Sequence, residues 1–378
     1  MRIAQVAPLI ESVPPKNYGG TERVVSYLTE ELVRAGHDVT LFASGDSVTN
    51  ARLIASCQRS LRKNERCKDP VAREVLLVDH VIEHVNEFDL IHFHTGYLHF
   101  PLCRYLAVPH VTTLHGRLDT PDLGPVFDRF RDVPVISISN AQRQPLPCAG
   151  WQATIYHGLP TDLFAFQPNQ GSYLAFLGRI SPEKRVDRAI EIAKRVSMPL
   201  KIAAKVDRAD RRYFKRDIEP LLTQSHVEWV GEISDQQKNE FLGNAYALLF
   251  PIDWPEPFGL VMIEAMACGT PIIAYDQGSV PEVMENGVSG FIVSEIEQAV
   301  EAVSRVRDLS RARCREFFEK RFTASRMASD YVNLYTRLAD PRMRRTEQSS
   351  GSSMRPFQSA WPAEDKLGGV TDREFQKF

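Results

Sequence analysis

Residues 247–274 read ALLFPIDWPEPFGLVMIEAMACGTPIIA and divide into strand, loop, helix and strand. Ala247–Phe250 and Pro271–Ala274 are apolar runs of strand length, and the uninterrupted stretch Leu260–Cys268 between them suits a helix. Pro251, Pro255 and Pro257 keep the intervening loop irregular. A helix joining two buried strands is the crossover that parallel pairing requires. The same alternation runs upstream, with strands expected at Tyr173–Leu177, Leu200–Ala204 and Val227–Val230, and helices near Glu183–Val196, Asp210–Leu222 and Asp235–Asn244. The first half repeats it. Strands are expected at Ile3–Pro8, Val39–Ala43, Leu90–His94, Val111–His115, Val135–Ser139 and Thr154–His157, with helices near Thr21–Ala35, Val71–Val85 and Leu98–Tyr105. A Pro/Gln/Asn/Gly stretch, Phe166–Ser172, separates the two series.

The expected fold is therefore α/β, with two Rossmann-like, doubly wound parallel-sheet domains facing a central cleft, over residues 1–168 and from 169 onward. Beyond Ser294 the pattern is helical to about Ala339. From Pro341 the chain is rich in Ser, Gly, Gln and Arg without periodicity, and 341–378 reads as a mobile tail.

A formal charge of -2 over 378 residues gives no global basic field for nucleic acid. The six cysteines are scattered, without CxxC or zinc spacing, which reads as reduced thiols in a cytoplasmic protein. The amino terminus begins on a strand rather than a charged leader, and no run approaches the length of a membrane span. Any membrane contact is expected to be peripheral, at the inner face. The basic run Arg52, Arg59, Arg62, Lys63, Arg66 and Lys68 reads as a solvated loop or helix, with an interfacial helix against anionic lipid as the alternative.

Four segments carry chemistry. In the first, Glu256-Pro257-Phe258-Gly259-Leu260 leads into a helix, and Gly259 leaves the amides of its first turn open to a phosphate. Glu264 lies five residues on, about 7 Å along the axis, a span that suits the diol of an attached ribose. Glu256 is placed to meet hydroxyls on the other side of the phosphates. In the second, Gly178-Arg179-Ile180-Ser181-Pro182-Glu183-Lys184, two cations follow the first strand of the second series, where they would stabilise a departing diphosphate. The bland alternative is a surface pairing with Glu183. In the third, Tyr18-Gly19-Gly20-Thr21-Glu22, two glycines permit close approach to a diphosphate or sugar. The fourth is a set of polar strand ends, His94, His115 and Asn140. No metal is expected, since the chain has neither HExxH nor Asp-x-Asp, although His92-Phe93-His94 offers two imidazoles on one strand.

Together, YGGTE, TLHG, GRISPEK and PEPFGLVMIEAMACGTPIIA resemble, in this order, the retaining glycosyltransferases of family 4, which have the GT-B fold, and the resemblance spans roughly residues 1–340. It implies that Glu264 binds the ribose and Glu256 the donor sugar. Arg179 and Lys184 would bind the diphosphate with the amides of Phe258, Gly259 and Leu260. Gly19 and Gly20 would lie by the phosphates, and His115 would contact the sugar. Catalytic weight falls on Arg179, Lys184, Glu256 and His115, and acceptor contact on His94 and Asn140. The resemblance also implies a donor domain over 169–322 and a helix, 323–340, crossing back onto the acceptor domain of residues 1–168.

The implied reaction moves a sugar from a nucleotide-sugar donor to an acceptor hydroxyl with retention of configuration, without metal or other cofactor. The acceptor is a sugar, a lipid-linked sugar or a small molecule. A sugar-nucleotide epimerase of the same fold, a non-catalytic nucleotide-sugar binding protein and a nicotinamide-dependent oxidoreductase are the competing readings. The last lacks a GxGxxG after either first strand.

Overall fold

The computed structural model describes residues 1–340 apart from Asn17, Tyr18, Lys63 and Arg66. Tyr18 of the expected glycine loop, Lys63 and Arg66 of the basic run, and the expected tail 341–378 therefore lie outside the described residues.

The first sheet holds β1 (Arg2–Val6), β2 (Asp38–Ser44), β3 (Arg52–Cys57), β4 (Leu90–Phe93), β5 (His110–Thr113), β6 (Val135–Ser137) and β7 (Trp151–Thr154), in the order β3-β2-β1-β4-β5-β6-β7. The second holds β8 (Tyr173–Arg179), β9 (Leu200–Lys205), β10 (Val227–Gly231), β11 (Ala245–Phe250), β12 (Ile272–Tyr275) and β13 (Gly290–Val293), in the order β10-β9-β8-β11-β12-β13. Every pairing in both is parallel. Each order reverses once, between β1 and β4 and between β8 and β11. Those two switch points open crevices at the carboxyl ends of the strands.

Several elements differ from expectation. Arg52–Cys57, where the basic run begins, is a strand beside β2, so this part of the run is not an interfacial helix. Arg52 instead pairs with Glu87 at 2.5 Å. The last strand of the first sheet is Trp151–Thr154 rather than Thr154–His157. The helix expected over Asp210–Leu222 is broken into a short α turn, a π-helical turn at Phe214–Ile218 and a 3-10 segment at Glu219–Thr223. Pro220 supplies no amide and crowds the preceding turn, which accounts for the break.

The helix Ala324–Ala339 buries Met327, Ala328, Tyr331, Leu334 and Tyr335, one stripe at helical spacing. That stripe packs with Ile3, Val24, Leu28 and Leu32 in one core cluster, so a helix that follows the second sheet in the chain completes the core of the first. Each such large apolar side chain contributes roughly 2 kcal/mol on burial.

Its two tyrosines also enter a buried polar chain. Gln5 donates from Nε2 to the Tyr335 hydroxyl at 3.2 Å, and that hydroxyl meets His92 Nδ1 at 2.6 Å. His92 Nε2 lies 2.7 Å from Thr113 Oγ1, which in turn lies 3.0 Å from the Tyr331 hydroxyl. Gln5 Oε1 accepts from His94 Nε2 at 2.8 Å, and His94 Nδ1 meets His115 Nε2 at 2.8 Å. With the Gln5 amide in this orientation the proton positions follow in sequence. His94 carries its proton on Nε2, His115 donates from Nε2, and His115 Nδ1 is left as an acceptor.

Two outcomes follow. Tyr335→Phe leaves Gln5 and His92 each short of a buried partner, and is expected to cost about 1–3 kcal/mol of stability. Urea unfolding measures this, and a midpoint equal to wild type would contradict the network. The second concerns acid. Burial holds His92, His94 and His157 well below the usual imidazole range and pushes His99 and His115 down to about 3. Unfolded, each titrates near pH ~6.5. Between those values the unfolded chain binds more protons. Stability is thus fully present above about pH 6.5 and declines as pH falls toward 3, by roughly 1 kcal/mol per pH unit for each histidine. Urea midpoints at about pH 7.5 and pH 5.5 are expected to differ clearly, and equal midpoints would rule the linkage out.

Candidate functional site

A cavity of about 570 Å³ lies between the carboxyl edges of the two sheets. From the second sheet it is lined by the segment after β8 (Arg179, Lys184), by Lys205, by Glu232 and Ile233 after β10, and by Glu256–Leu260 and Glu264 after β11. From the first it is lined by Gly19–Arg23 and by His115–Arg117.

Gly259 is the N-cap of the helix Leu260–Ala267 and adopts φ 76°, which favours glycine. A Cβ there would lie 2.8 Å from Met262 Cε. Both N-caps are glycines, so no N-cap side chain closes this helix or the helix Gly20–Arg34, whose N-cap is Gly19 and whose first turn carries the buried Glu22. A Cβ on Gly20 would sit 3.5 Å from Leu260 Cδ1, so the two helix starts face each other across the cleft. Two positive dipole ends with glycine N-caps suit this region to an anion.

The loop carrying Glu256 is fixed from behind. Ser279 donates its amide to Glu256 O at 3.0 Å and its hydroxyl to Phe258 O at 2.9 Å. Gly278 lies so close that a Cβ would stand 2.4 Å from the Glu256 nitrogen. Phe258 is buried, with its ring against His157 at 4.8 Å, so only its backbone is available to a ligand.

The charged groups are mutually engaged. Lys184 is ion-paired with Glu256, which also accepts from Trp254 Nε1 at 3.0 Å. Arg179 pairs with Glu183 and lies within 3.7 Å of Asp207 and 3.6 Å of Asp210. The surface pairing with Glu183 that the sequence allowed is thus present, in a side chain that still lines the cleft. Glu264 is buried and accepts from Lys238 Nζ at 2.7 Å. Lys238 also meets Asp235 at 3.3 Å, and Asp235 pairs across the cleft with Arg23. An arriving anion therefore exchanges partners with existing ion pairs.

His115 reaches the cleft, and its Nδ1 has no hydrogen-bond partner among the described residues. His157 stacks on it at 5.3 Å, lines the same cavity and has an equally unpartnered Nδ1. His94 and Asn140 do not line the cavity. His94 is buried behind His115 and orients it, so acceptor contact does not suit it. The Asn140 and Ala141 amides donate to Glu282 at 2.7 and 2.6 Å, a carboxylate that also takes the Tyr156 hydroxyl at 3.0 Å. Asn140 thereby helps latch the first-sheet segment onto the loop after β12.

His157 and Lys238 stand near the site without any short motif of the sequence marking them, and Glu22, the last residue of the third segment, lines the cavity too. Glu22 is buried beside the cleft, takes the Glu11 amide at 3.2 Å, and is pushed upward in pKa by desolvation. Both nitrogens of His92 are engaged by hydroxyls, and both nitrogens of His94 by Gln5 and His115. His80, Glu83 and His84 on the helix Pro70–Glu83 and its C-cap were also overlooked. Their ligand atoms lie within 4.8 Å of one another, and none of the three lines the cleft.

The family comparisons agree with this layout. Residues 18–146 match the model of Glycosyltransferase Family 4, and residues 164–321 match that of Glycosyl transferases group 1. An uncharacterized glycosyltransferase of Methanocaldococcus jannaschii is 28% identical over 55% of this chain and 61% of its own length. The phosphatidyl-myo-inositol mannosyltransferase of Mycolicibacterium smegmatis is 26% identical over 78% of this chain and 81% of its own. The first four curated relatives are spanned over only 61%, 45%, 32% and 19% of their lengths. The Anabaena protein HepE, solved with UDP and glucose, superposes with a TM-score of 0.69 at 18% identity, covering 89% of this chain and all of that one. Two successive glycosyltransferase models over the two sheets, doubly wound strand orders in both and a cleft at their carboxyl edges place this chain in the GT-B glycosyltransferases of the family 4 type.

Proposed function

We propose that this chain transfers a sugar from a nucleotide-sugar donor to an acceptor hydroxyl, with retention of configuration and without a bound metal. The observation that carries the reading is the pair of helix starts with glycine N-caps, one from each sheet, facing each other in one cavity lined by Glu256 and Glu264. The diphosphate sits at these helix ends, on the amides of Phe258–Leu260 and near Gly19 and Gly20. Glu264 takes the ribose hydroxyls in place of Lys238, and Glu256 takes hydroxyls of the sugar. The HepE structure, with UDP and glucose, supports this class of donor.

Arg179 and Lys184 stabilise the charge that grows on the diphosphate as the anomeric carbon–oxygen bond breaks. The acceptor oxygen bonds to the same face of that carbon. Its proton passes to the departing phosphate oxygen, which needs no separate protein base. His115, neutral and presenting Nδ1 as acceptor, receives a sugar hydroxyl. In this reading residues 1–168 serve the acceptor, 169–322 hold the donor, and 323–340 join them. Among the described residues no helix is long and apolar enough to cross a membrane. We assign the enzyme to the cytoplasm, with peripheral contact at the inner membrane face as an extension of that assignment.

Incubation with a panel of nucleotide sugars and a panel of sugar, sugar-phosphate and lipid-linked acceptors is expected to release nucleoside diphosphate from one donor only when an acceptor is present, undiminished after exhaustive EDTA treatment. Loss of turnover restored by magnesium or manganese would overturn the metal-free mechanism, and no consumption of any donor would overturn transfer itself. Arg179→Ala is expected to lower kcat by on the order of a hundredfold, with a smaller rise in donor KM. A normal kcat with only a raised KM would make Arg179 a ground-state clamp.

A further inference from the structure

The basic segment that the sequence singled out forms one wall of a second, larger cavity. After β3 the chain carries Arg59 and Arg62 along this wall, the first turns of the helix Pro70–Glu83 add Arg73, and the loop after β1 adds Lys16. Lys205, Asp207 and Glu232 of the second sheet line the opposite side. The cavity measures about 1460 Å³ and shares Arg62, Lys205 and Glu232 with the donor cavity, so the two adjoin.

The charges in it are unequally satisfied. Glu11 pairs with Arg62 at 2.6 Å, Asp207 takes Lys205 at 2.9 Å, and Asp46 accepts the Ser60 amide and hydroxyl at 2.9 and 3.1 Å. Lys16, Arg59 and Arg73 are exposed and have no carboxylate partner among the described residues. Glu65 stands on the same wall, yet Lys16, Arg59 and Arg73 are each left without a carboxylate partner among the described residues, and a multivalent anion supplies one. Guanidinium forks match the paired oxygens of a phosphate. The volume exceeds the roughly 300–1,000 Å³ of an ordinary small-ligand pocket and leaves room for a sugar phosphate or a lipid headgroup.

We propose that this cavity is the acceptor subsite and that the acceptor carries a phosphate group, held by Arg59 and Arg73 with Lys16. The proposal rests on the donor reading above, since the acceptor hydroxyl must reach the shared opening at Arg62 and Glu232. Phosphate of this kind belongs to a soluble sugar phosphate or to a lipid headgroup, and the test separates the two.

Calorimetric titration of the full chain with glucose 6-phosphate and with glucose reads the soluble arm. Co-sedimentation with phosphatidylinositol vesicles and with phosphatidylcholine vesicles reads the lipid arm. One phosphate-bearing probe is expected to bind and its counterpart, glucose or phosphatidylcholine, to bind at least tenfold more weakly. The double variant Arg59→Ala/Arg73→Ala is expected to lose tenfold or more of that binding, whereas Arg179→Ala retains it. Binding lost only in Arg179→Ala belongs to the donor cradle and overturns the proposal. So does unchanged binding in the double variant, or no binding of either phosphate probe. Titration with UDP, GDP and ADP reads the donor site independently. The double variant is expected to keep wild-type affinity there, and its loss would also overturn the proposal. A wild-type chain that binds none of the three nucleotides while keeping Arg59- and Arg73-dependent phosphate binding refutes the donor reading, and with it the acceptor role, but leaves the phosphate cradle standing.

Discussion

Parallel pairing is the constraint from which the rest of this structure follows. When all strands of a sheet run the same way, all their carboxyl ends lie on one edge, and each crossover helix begins beside that edge. Both sheets obey this rule with the same doubly wound order, and both edges meet at the same cleft. Loops after β1, β5, β8, β10 and β11 thus converge, although Gly19 and Gly259 are 240 residues apart in the chain. Chemistry is assembled here by topology rather than by any local motif.

Holding the two edges in register is the task of a few long-range contacts. The helix Ala324–Ala339 returns to the first sheet and buries its stripe against Val24 and Leu28, which belong to the helix starting at Gly20. The same helix orients His115 through Tyr335, Gln5 and His94. On the other side Glu282 grips the Asn140 and Ala141 amides, and Arg23 meets Asp235. Packing and site geometry are therefore not separable: the residues that close the core also set which nitrogen of His115 accepts.

The sequence exposed those elements whose local pattern was strong. Val39–Ala43, Val111–His115 and Leu200–Ala204 are β-branched or apolar runs, and they are strands. The strand Arg52–Cys57 was hidden because its faces are half-exposed and its charge suggested a solvated segment. The strand Gly290–Val293 was not expected either, since it follows a turn-rich stretch with Gly278 and Gly287 close by. At the site, Glu256, Gly259, Glu264, Arg179 and Lys184 were legible because they share short segments with recognisable turn chemistry. His157 and Lys238 were not. Each sits in an ordinary stretch and gains meaning only from a neighbour far away in the chain, Phe258 for one and Glu264 for the other. The roles given to His94 and Asn140 assumed that a polar residue at a strand end faces the cleft. A strand end has two faces, and the buried one of His94 serves the core.

The facing helix starts have a thermodynamic corollary. Each end of this kind carries about half a positive elementary charge, so bringing two together without a counterion stores repulsion of like sign. An anion between them converts that repulsion into attraction on both sides. Approach of the two sheets and occupancy by an anion are then linked functions. Whatever draws the edges closer, the Arg23–Asp235 pair included, tightens the anion by the same factor by which the anion tightens the edges. Reciprocity of that sort would make an anion in the cleft a structural member of the fold.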